Sequence, residues 1–326
     1  MLHILLRWIY AMKICVLDDY QGVARQCADW DELGQDDTIE FLSTPIAEDD
    51  LASRLEPFDV IVAMRERTAF PAQLLGSLKR LRLLVTTGQR NRSIDLDACR
   101  ELGITVCGTG SDPMLAAEQA WALIMGLFKQ LTQNDAATRS GKWQTGLGLS
   151  LRGTILGLVG LGKLGQQMAQ FAQMFGMDVI AWSPNLTPER CAPHGVRYAA
   201  KEELFRLADV ISVHMVLGPQ TRHIVGATEI RAMKPSAYLV NTSRGGLLDE
   251  HALCDALVDG AIAGAALDVF EREPLPSGSR VLQTPNLLLS PHVGYASWQN
   301  YRVYYGQAVE NILAWKAGTP TRILTV

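Results

Sequence analysis

The sequence predicts an α/β chain built as two doubly wound domains, each around a parallel sheet. Three observations predict it. Apolar runs alternate with helix-like stretches almost throughout: Ile14–Leu17, Val60–Ala63, Leu83–Thr86, Thr154–Val159, Val179–Trp182, Val210–Val213, Tyr238–Asn241, Ile262–Leu267 and Leu287–Leu289. Continuous apolar runs suit strands covered on both faces, as in parallel sheets. A Gly-x-Gly-x-x-Gly turn (Gly160, Gly162, Gly165) stands near mid-chain, between such a run and a helical pattern. Enough strand and helix material precedes it, Lys13 to about Val106, to form another doubly wound domain.

The 326 residues suffice for two ordinary domains with substantial cores. The composition, 48% hydrophobic and 20% charged, is that of a globular protein. A net charge of −4 without any Lys/Arg block argues against a nucleic-acid partner. Six cysteines are scattered with no Cys-x-x-Cys pair, which predicts reduced packing thiols in a cytoplasmic setting, without disulfide framework or metal site. Residues Met1–Ala11 are apolar but interrupted by Arg7, and too short to span a bilayer. No small-residue cleavage site follows, so neither a signal peptide nor a membrane association is expected. Met12-Lys13 opens a clean strand, so Met12 is the expected natural start and residues 1–11 an upstream extension. With the chain ending at Val326, no regulatory domain is expected.

The mid-chain turn has a physical logic. Gly160 permits the tight turn, Gly162 lets backbone approach a pyrophosphate, and Gly165 lets helix and strand pack closely. The helix start, with Lys163 and Leu164, offers unpaired N–H groups and a positive dipole end to the phosphates. Met168, Phe171, Ala172 and Phe175 continue at helical spacing. Upstream, Asp112 is expected to cap a long helix with Pro113 in its first turn, and Trp121, Ile124, Met125 and Phe128 form its apolar stripe. Residues Ser140–Ser150 read as Gly-rich loop and Gln299–Lys316 as a last helix, long enough to return to the first domain. The expected organisation is a Rossmann dinucleotide-binding domain, residues 109–294, inserted in a flavodoxin-like substrate domain of residues 1–108 and 295–326. The crossings, near Cys107–Ser111 and Pro291–Ala296, would form a hinge.

In open α/β sheets, ligands bind beyond the carboxyl ends of the strands. Arg65, Thr87-Gly88, Ser183, Arg244, Asp268, Glu273 and His292 all follow predicted strands. A cation, a carboxylate and an imidazole thus leave strands at one edge. Such a trio can hold an anionic ligand and move a proton to or from it. A histidine supplies that proton near neutral pH, and a neighbouring carboxylate favours the imidazolium and fixes its ring. An arginine offers a planar fork for the substrate carboxylate. His3, His194, His223 and His251 lack such neighbours; His214 ends a strand, where a packed polar role competes with lining the cofactor cleft.

These segments resemble the D-isomer-specific 2-hydroxyacid dehydrogenase family, which includes phosphoglycerate dehydrogenases and glyoxylate/hydroxypyruvate reductases. Gly157–Gly165, Asn241–Gly246, Asp268–Pro274 and Pro291–Gly294 stand in the family's order and spacing. Ala117-Glu118 also matches the family, near the start of the long helix. The resemblance implies a hydride transfer between a nicotinamide cofactor and C2 of a small D-2-hydroxy or 2-keto acid. It implies Arg244 as the substrate arginine, Glu273 as partner carboxylate and His292 as acid/base. Asp268 would face the nicotinamide carboxamide, Thr242 would border the cofactor, and Arg65 with the Thr87-Gly88 backbone would hold the substrate carboxylate, Arg67 competing with Arg65. A homodimer is implied, with the long helix at its interface. Some relatives, the C-terminal-binding-protein corepressors, use this fold as a nucleotide-sensing scaffold, and that is the alternative reading.

Two segments depart from the family's pattern. Ser183 stands where NAD enzymes of this fold carry an acid for the ribose hydroxyls. A neutral residue there, with Arg190 nearby, suits the 2′-phosphate of NADP, so NAD and NADP both remain open. The stretch Thr86–Asp95 carries Gln89, Arg90 and Arg92, more cationic than is usual in the family.

Overall fold

The computed structural model describes residues 11–325. The expectation that Met12 is the native start concerns residues 1–11, of which 1–10 lie outside the described residues. The chain divides into two compact units. One comprises the described residues up to Asp112 and those from Ala296 onward; the other runs from Pro113 to Tyr295.

The first unit holds a five-stranded sheet of β1 (Lys13–Val16), β2 (Thr38–Phe41), β3 (Val60–Ala63), β4 (Leu83–Thr86) and β5 (Thr105–Cys107). The order is β2-β1-β3-β4-β5 and every pair is parallel, a flavodoxin-like arrangement. Strands β3 and β4 are buried at every position, as their apolar runs require. The C-terminal helix Trp298–Lys316 belongs to this unit and fills its other face with Tyr304, Tyr305, Ile312 and Trp315. Asn311 Nδ2 donates to the Gly108 carbonyl at 2.8 Å, and Lys316 pairs with Asp37.

The second unit holds seven parallel strands: β6 (Ile155–Val159), β7 (Asp178–Trp182), β8 (Arg197–Tyr198), β9 (Val210–Val213), β10 (Tyr238–Asn241), β11 (Gly264–Leu267) and β12 (Leu287–Leu289). Their order, β12-β11-β10-β9-β6-β7-β8, reverses direction between β6 and β9, which is the Rossmann switch point. Two cores cover its faces. One joins Leu204, Phe205, Ile230, Leu253 and Leu257 to the sheet. The other joins Ala117, Ile124 and Phe128 of the long helix, and Met168 and Ala172, to the opposite face. The predicted fold class, two doubly wound parallel-sheet domains, is therefore observed. Among the described residues no helix is long and apolar enough to cross a membrane.

Several local expectations are corrected. Asp112 does not stand at the N-cap position: the long helix runs Leu115–Phe128 after Met114, whose side chain makes no capping bond. Pro113 disfavours helical backbone at the residue before it, and the Asp112 N–H donates instead to Asn300 Oδ1 at 3.0 Å. The run at Ile262 becomes strand only from Gly264. Ile262 and Ala263 still enter the fold, through a buried side chain and a hydrogen bond from the Ala263 N–H to the Ala237 carbonyl. Strands β2, β5 and β8 had no apolar run of their own. β2 is at the sheet edge with no fully buried position, and β8 is only two residues long.

Candidate active site

Strand β6 ends in the glycine turn, and the helix Lys163–Met174 follows. The three glycines answer to different demands. A Cβ on Gly160 (φ 108°) would stand 2.3 Å from the His214 carbonyl oxygen. One on Gly165 would stand 2.2 Å from the Gly160 oxygen. Around Gly162 a Cβ would meet nothing within 4 Å. Packing therefore explains the outer glycines but not the middle one, whose bare face is what a pyrophosphate pressed against backbone requires. The helix's first backbone bond is Gln166 N–H to the Gly162 carbonyl at 2.9 Å. The N–H groups of Lys163, Leu164 and Gly165 precede it, in the position that binds anions.

His214 lies behind this turn. Its Nε2 meets the Ser212 hydroxyl at 2.8 Å, while its Nδ1 is sealed from solvent without a partner among the described residues. The residue is only partly buried by surface area, but its ring lies inside, and that burial lowers the imidazole pKa to about 4. His214 is therefore a neutral, packed side chain at pH 7. At the end of β7, Ser183 is partly buried. Arg190 is exposed but tethered, its Nη1 donating to the Asn185 carbonyl at 2.8 Å. No carboxylate occupies position 183.

Past β10 the chain makes a stitched turn. Asn241 accepts from the Ser243 N–H at 3.1 Å and donates to the Arg244 carbonyl at 2.9 Å, while the Ser243 hydroxyl donates to the Val213 carbonyl at 2.7 Å. Thr242, partly exposed, lies within this turn. Arg244 donates from Nη1 to the Ser243 carbonyl at 2.7 Å. A Cβ on Gly245 would stand 2.0 Å from the Phe270 carbonyl carbon, so the arginine turn presses directly on the loop that follows β11.

That loop carries Glu273. One carboxylate oxygen accepts the Phe270 N–H at 2.8 Å, and the other meets His292 Nδ1 at 2.5 Å. Its backbone is braced from below: Glu271 meets His223 Nε2 at 2.5 Å and Arg222 at 3.2 Å, and its N–H donates to Glu250 at 2.5 Å. The His292 and Glu273 side chains keep about a third of their exposure, 30% and 32%, so the ring is reachable. An ionised carboxylate only accepts, so Nδ1 donates in this pair and Nε2 is the ring nitrogen left for other chemistry.

His292 sits at φ 54°, a left-handed conformation that costs a non-glycine residue about 1–2 kcal/mol. Asp268, only 1% exposed, stands beside it. Its carboxylate accepts from the Ser290 hydroxyl at 2.5 Å and from the N–H groups of Val293 and Gly294 at 3.0 and 2.9 Å. Asp268 was expected to face the nicotinamide; its carboxylate also holds the His292 loop, while its N–H donates to the Asn241 carbonyl at 3.0 Å. Sequence reasoning missed this network. Ser290, between β12 and His292, was not singled out, although a hydroxyl there is the signal. It also missed Gln119, a lone amide on an otherwise apolar helix face, which donates to Ser290 Oγ at 2.8 Å.

The first unit gathers its own group. Arg65, at φ 53°, donates its N–H to Thr87 Oγ1 at 2.9 Å. Its guanidinium covers Gly88, where a Cβ would stand 1.9 Å from Nη1. Arg67 is engaged elsewhere: it lies 4.4 Å from the Tyr20 ring and donates to the Asp18 carbonyl at 2.6 Å. Arg65, Thr87 and Gly88 thus form one cluster, from which Arg67 is turned away. Among the described residues no group of His, Cys, Asp or Glu is arranged to hold a metal ion.

Comparison with known proteins agrees with this architecture. Residues 121–294 match the model of the D-isomer specific 2-hydroxyacid dehydrogenase family, NAD binding domain. The glyoxylate reductase of Aeropyrum pernix is 36% identical over 255 residues, 75% of this chain and 76% of that protein. The D-3-phosphoglycerate dehydrogenase of Bacillus subtilis is 32% identical over 289 residues, 88% of this chain but only 54% of that longer protein. The crystal structure of a phosphoglycerate oxidoreductase from Vibrio cholerae O395 superposes with a TM-score of 0.88 at 36% identity, covering 94% of this chain and 99% of the other. With a Rossmann sheet, its glycine turn, a second parallel sheet and these relatives, the chain belongs to the D-isomer-specific 2-hydroxyacid dehydrogenase family.

Proposed function

We propose that this protein reduces a small 2-keto acid to the D-2-hydroxy acid, with His292 as proton donor and NAD(P)H as reductant. The observation that carries the reading is the 2.5 Å contact between His292 Nδ1 and Glu273, on a ring that stays accessible. The cofactor supplies the hydride. Glu273 holds the ring through Nδ1, so Nε2 is the nitrogen that delivers a proton to the carbonyl oxygen. Arg244 takes the substrate carboxylate and polarises the carbonyl. On the first unit, Arg65 and the Thr87-Gly88 backbone offer donors of the kind that a substrate carboxylate takes. Asp268 orients the His292 loop, and Thr242 borders the cofactor. Gly160, Gly162, Lys163, Leu164 and Gly165 hold the pyrophosphate.

For the adenosine end, we read Ser183 and Arg190 as admitting the 2′-phosphate of NADP. The tether from Arg190 to the Asn185 carbonyl supports this, because it keeps a cation beside the loop that lacks an acid. Titration with NADH and NADPH, followed by a panel of 2-keto acids, tests both parts. NADPH should bind at least as tightly as NADH, and Arg190→Ala should weaken NADPH alone, by about tenfold. Gly162→Ala should leave the melting temperature unchanged while weakening either cofactor about tenfold or more, since its new methyl meets only the incoming ligand. Tight cofactor binding with no turnover of any keto acid would favour the corepressor-type scaffold instead.

The implied homodimer is supported by apolar side chains left in solvent on the second unit. Trp143, Leu147 and Met174 are 79%, 90% and 85% exposed. Light scattering should give twice the chain mass; a monomer at micromolar concentration would remove this part.

A further inference from the structure

We propose that Gln119 is a positioning residue for His292, acting through Ser290 and the buried Asp268 carboxylate. The proposal rests on the reading of His292 as proton donor.

Three hydrogen bonds define the device. Asp268 accepts from Ser290 Oγ at 2.5 Å, so the single hydroxyl proton of Ser290 points at the carboxylate. The lone pairs of that hydroxyl then face the other way, where Gln119 Nε2 donates at 2.8 Å. The chain therefore has one polarity: amide to hydroxyl to carboxylate. Asp268 also takes the N–H groups of Val293 and Gly294. Residues on both sides of His292 are thus tied to one buried charge, and Pro291 between them has no N–H to offer.

His292 needs such a frame. A left-handed histidine persists only where its surroundings over-determine the backbone. The frame is anchored to the long helix. A Cβ on Gly294 would stand 2.9 Å from Asp268 Oδ2, 3.6 Å from the Gln119 Cβ and 3.7 Å from the Ala116 Cα, so the loop lies directly on that helix. Ala116, Ala120 and Leu123 surround Gln119 on its own helix with apolar side chains. An amide there is useful because it ends the chain that begins at Asp268. Without it, the Ser290 hydroxyl loses the donor that fixes its rotation. The Ser290 bond to Asp268 is then no longer held in line, the weight of fixing the loop shifts to the Val293 and Gly294 N–H bonds, and the ring drifts relative to Glu273.

The test uses full-length Gln119→Leu, Ser290→Ala, the double variant and Ser290→Thr, each with the better cofactor and the best keto acid. Either single change is expected to lower kcat about tenfold, because small displacements of a reacting group are costly. Cofactor KM should stay within about twofold of wild type. The solvent deuterium isotope effect on kcat should rise, since proton delivery becomes the slow step. The double variant should lose no more than the worse single, because both cut one chain. Ser290→Thr keeps the hydroxyl and should retain activity. A folded Gln119→Leu with wild-type kcat and isotope effect overturns the proposal. So does a loss of active protein with an unchanged isotope effect in what remains, or a double variant whose losses multiply. Should Gln119→Leu fail to fold, Ser290→Ala, which removes a single atom, decides by the same readouts. His292→Ala separates the two levels. If it remains active, the functional reading fails; if it is dead while Gln119→Leu behaves as wild type, only this proposal fails.

Discussion

His292→Ala is expected to lower kcat for keto-acid reduction by about 10²–10⁴-fold while leaving cofactor affinity within about twofold. The reason lies in where the two functions are housed. The imidazole stands past β12, tied through Nδ1 to Glu273. The glycine turn stands past β6, at another strand end, packed on the His214 carbonyl. On the proposed reading, removing the ring deletes the proton donor and leaves the glycine turn as it is. Folding should survive, because the pair is about one-third exposed and such ion pairs contribute little to stability. Steady-state kinetics and a fluorescence titration with reduced cofactor check both halves. Turnover within about tenfold of wild type would remove His292 as the proton donor, whatever its geometry.

What could be read from the sequence follows from how each feature is encoded. Strands such as Val60–Ala63 and Val210–Val213 are buried on both faces, so their apolar runs have no competing explanation. Thr38–Phe41 was invisible because an edge strand with alternating exposure, Thr-Ile-Glu-Phe, looks like loop until its neighbour is known. Asp112 illustrates the opposite error. A residue that often caps helices was credited with capping one, but Pro113 holds it short of the helix and its N–H finds Asn300, 188 residues away in sequence. A long-range partner of that kind leaves no local signature.

The same division runs through the candidate site. Residue types at strand ends were legible, because the carboxyl edge of a parallel sheet is where loops carry ligands. That Glu273 stands beside His292 was implied by the family resemblance, and the two side chains meet at 2.5 Å. What was not legible is second-partner geometry. Asp268 could be read as a residue at a strand end, but that its carboxylate also ties Ser290, Val293 and Gly294 together could not. Arg65 and Arg67 were indistinguishable by sequence. The difference is that Tyr20 offers Arg67 a ring face, while Arg65 is bent back over Gly88 by a left-handed backbone. Neither the ring nor the bend can be inferred from two arginines in one short segment.

Arg244→Ala is expected to reduce kcat/KM for the keto acid by about 10²–10³-fold, with KM and kcat both affected, and Arg244→Lys should recover only a small part. A guanidinium presents a rigid fork that matches a carboxylate with two parallel bonds, whereas an ammonium offers a point charge. The backbone around Arg244 makes the fork's position specific. Asn241 and Ser243 stitch the turn, and Gly245 is wedged against the Phe270 carbonyl, so neither a lysine nor a shifted loop can restore the geometry. Because that wedge also bears on the loop holding Glu273, Gly245→Ala is a useful control. It should damage folding, with a Cβ forced to 2.0 Å from backbone, whereas Arg244→Ala should melt like wild type. Kinetics with a keto acid and with its decarboxylated aldehyde then isolate the carboxylate contact. The variant's penalty should shrink to about tenfold or less for the aldehyde, which lacks the group that the arginine binds. An equal penalty for both substrates would mean that Arg244 acts on the carbonyl or on the fold, and not on the carboxylate.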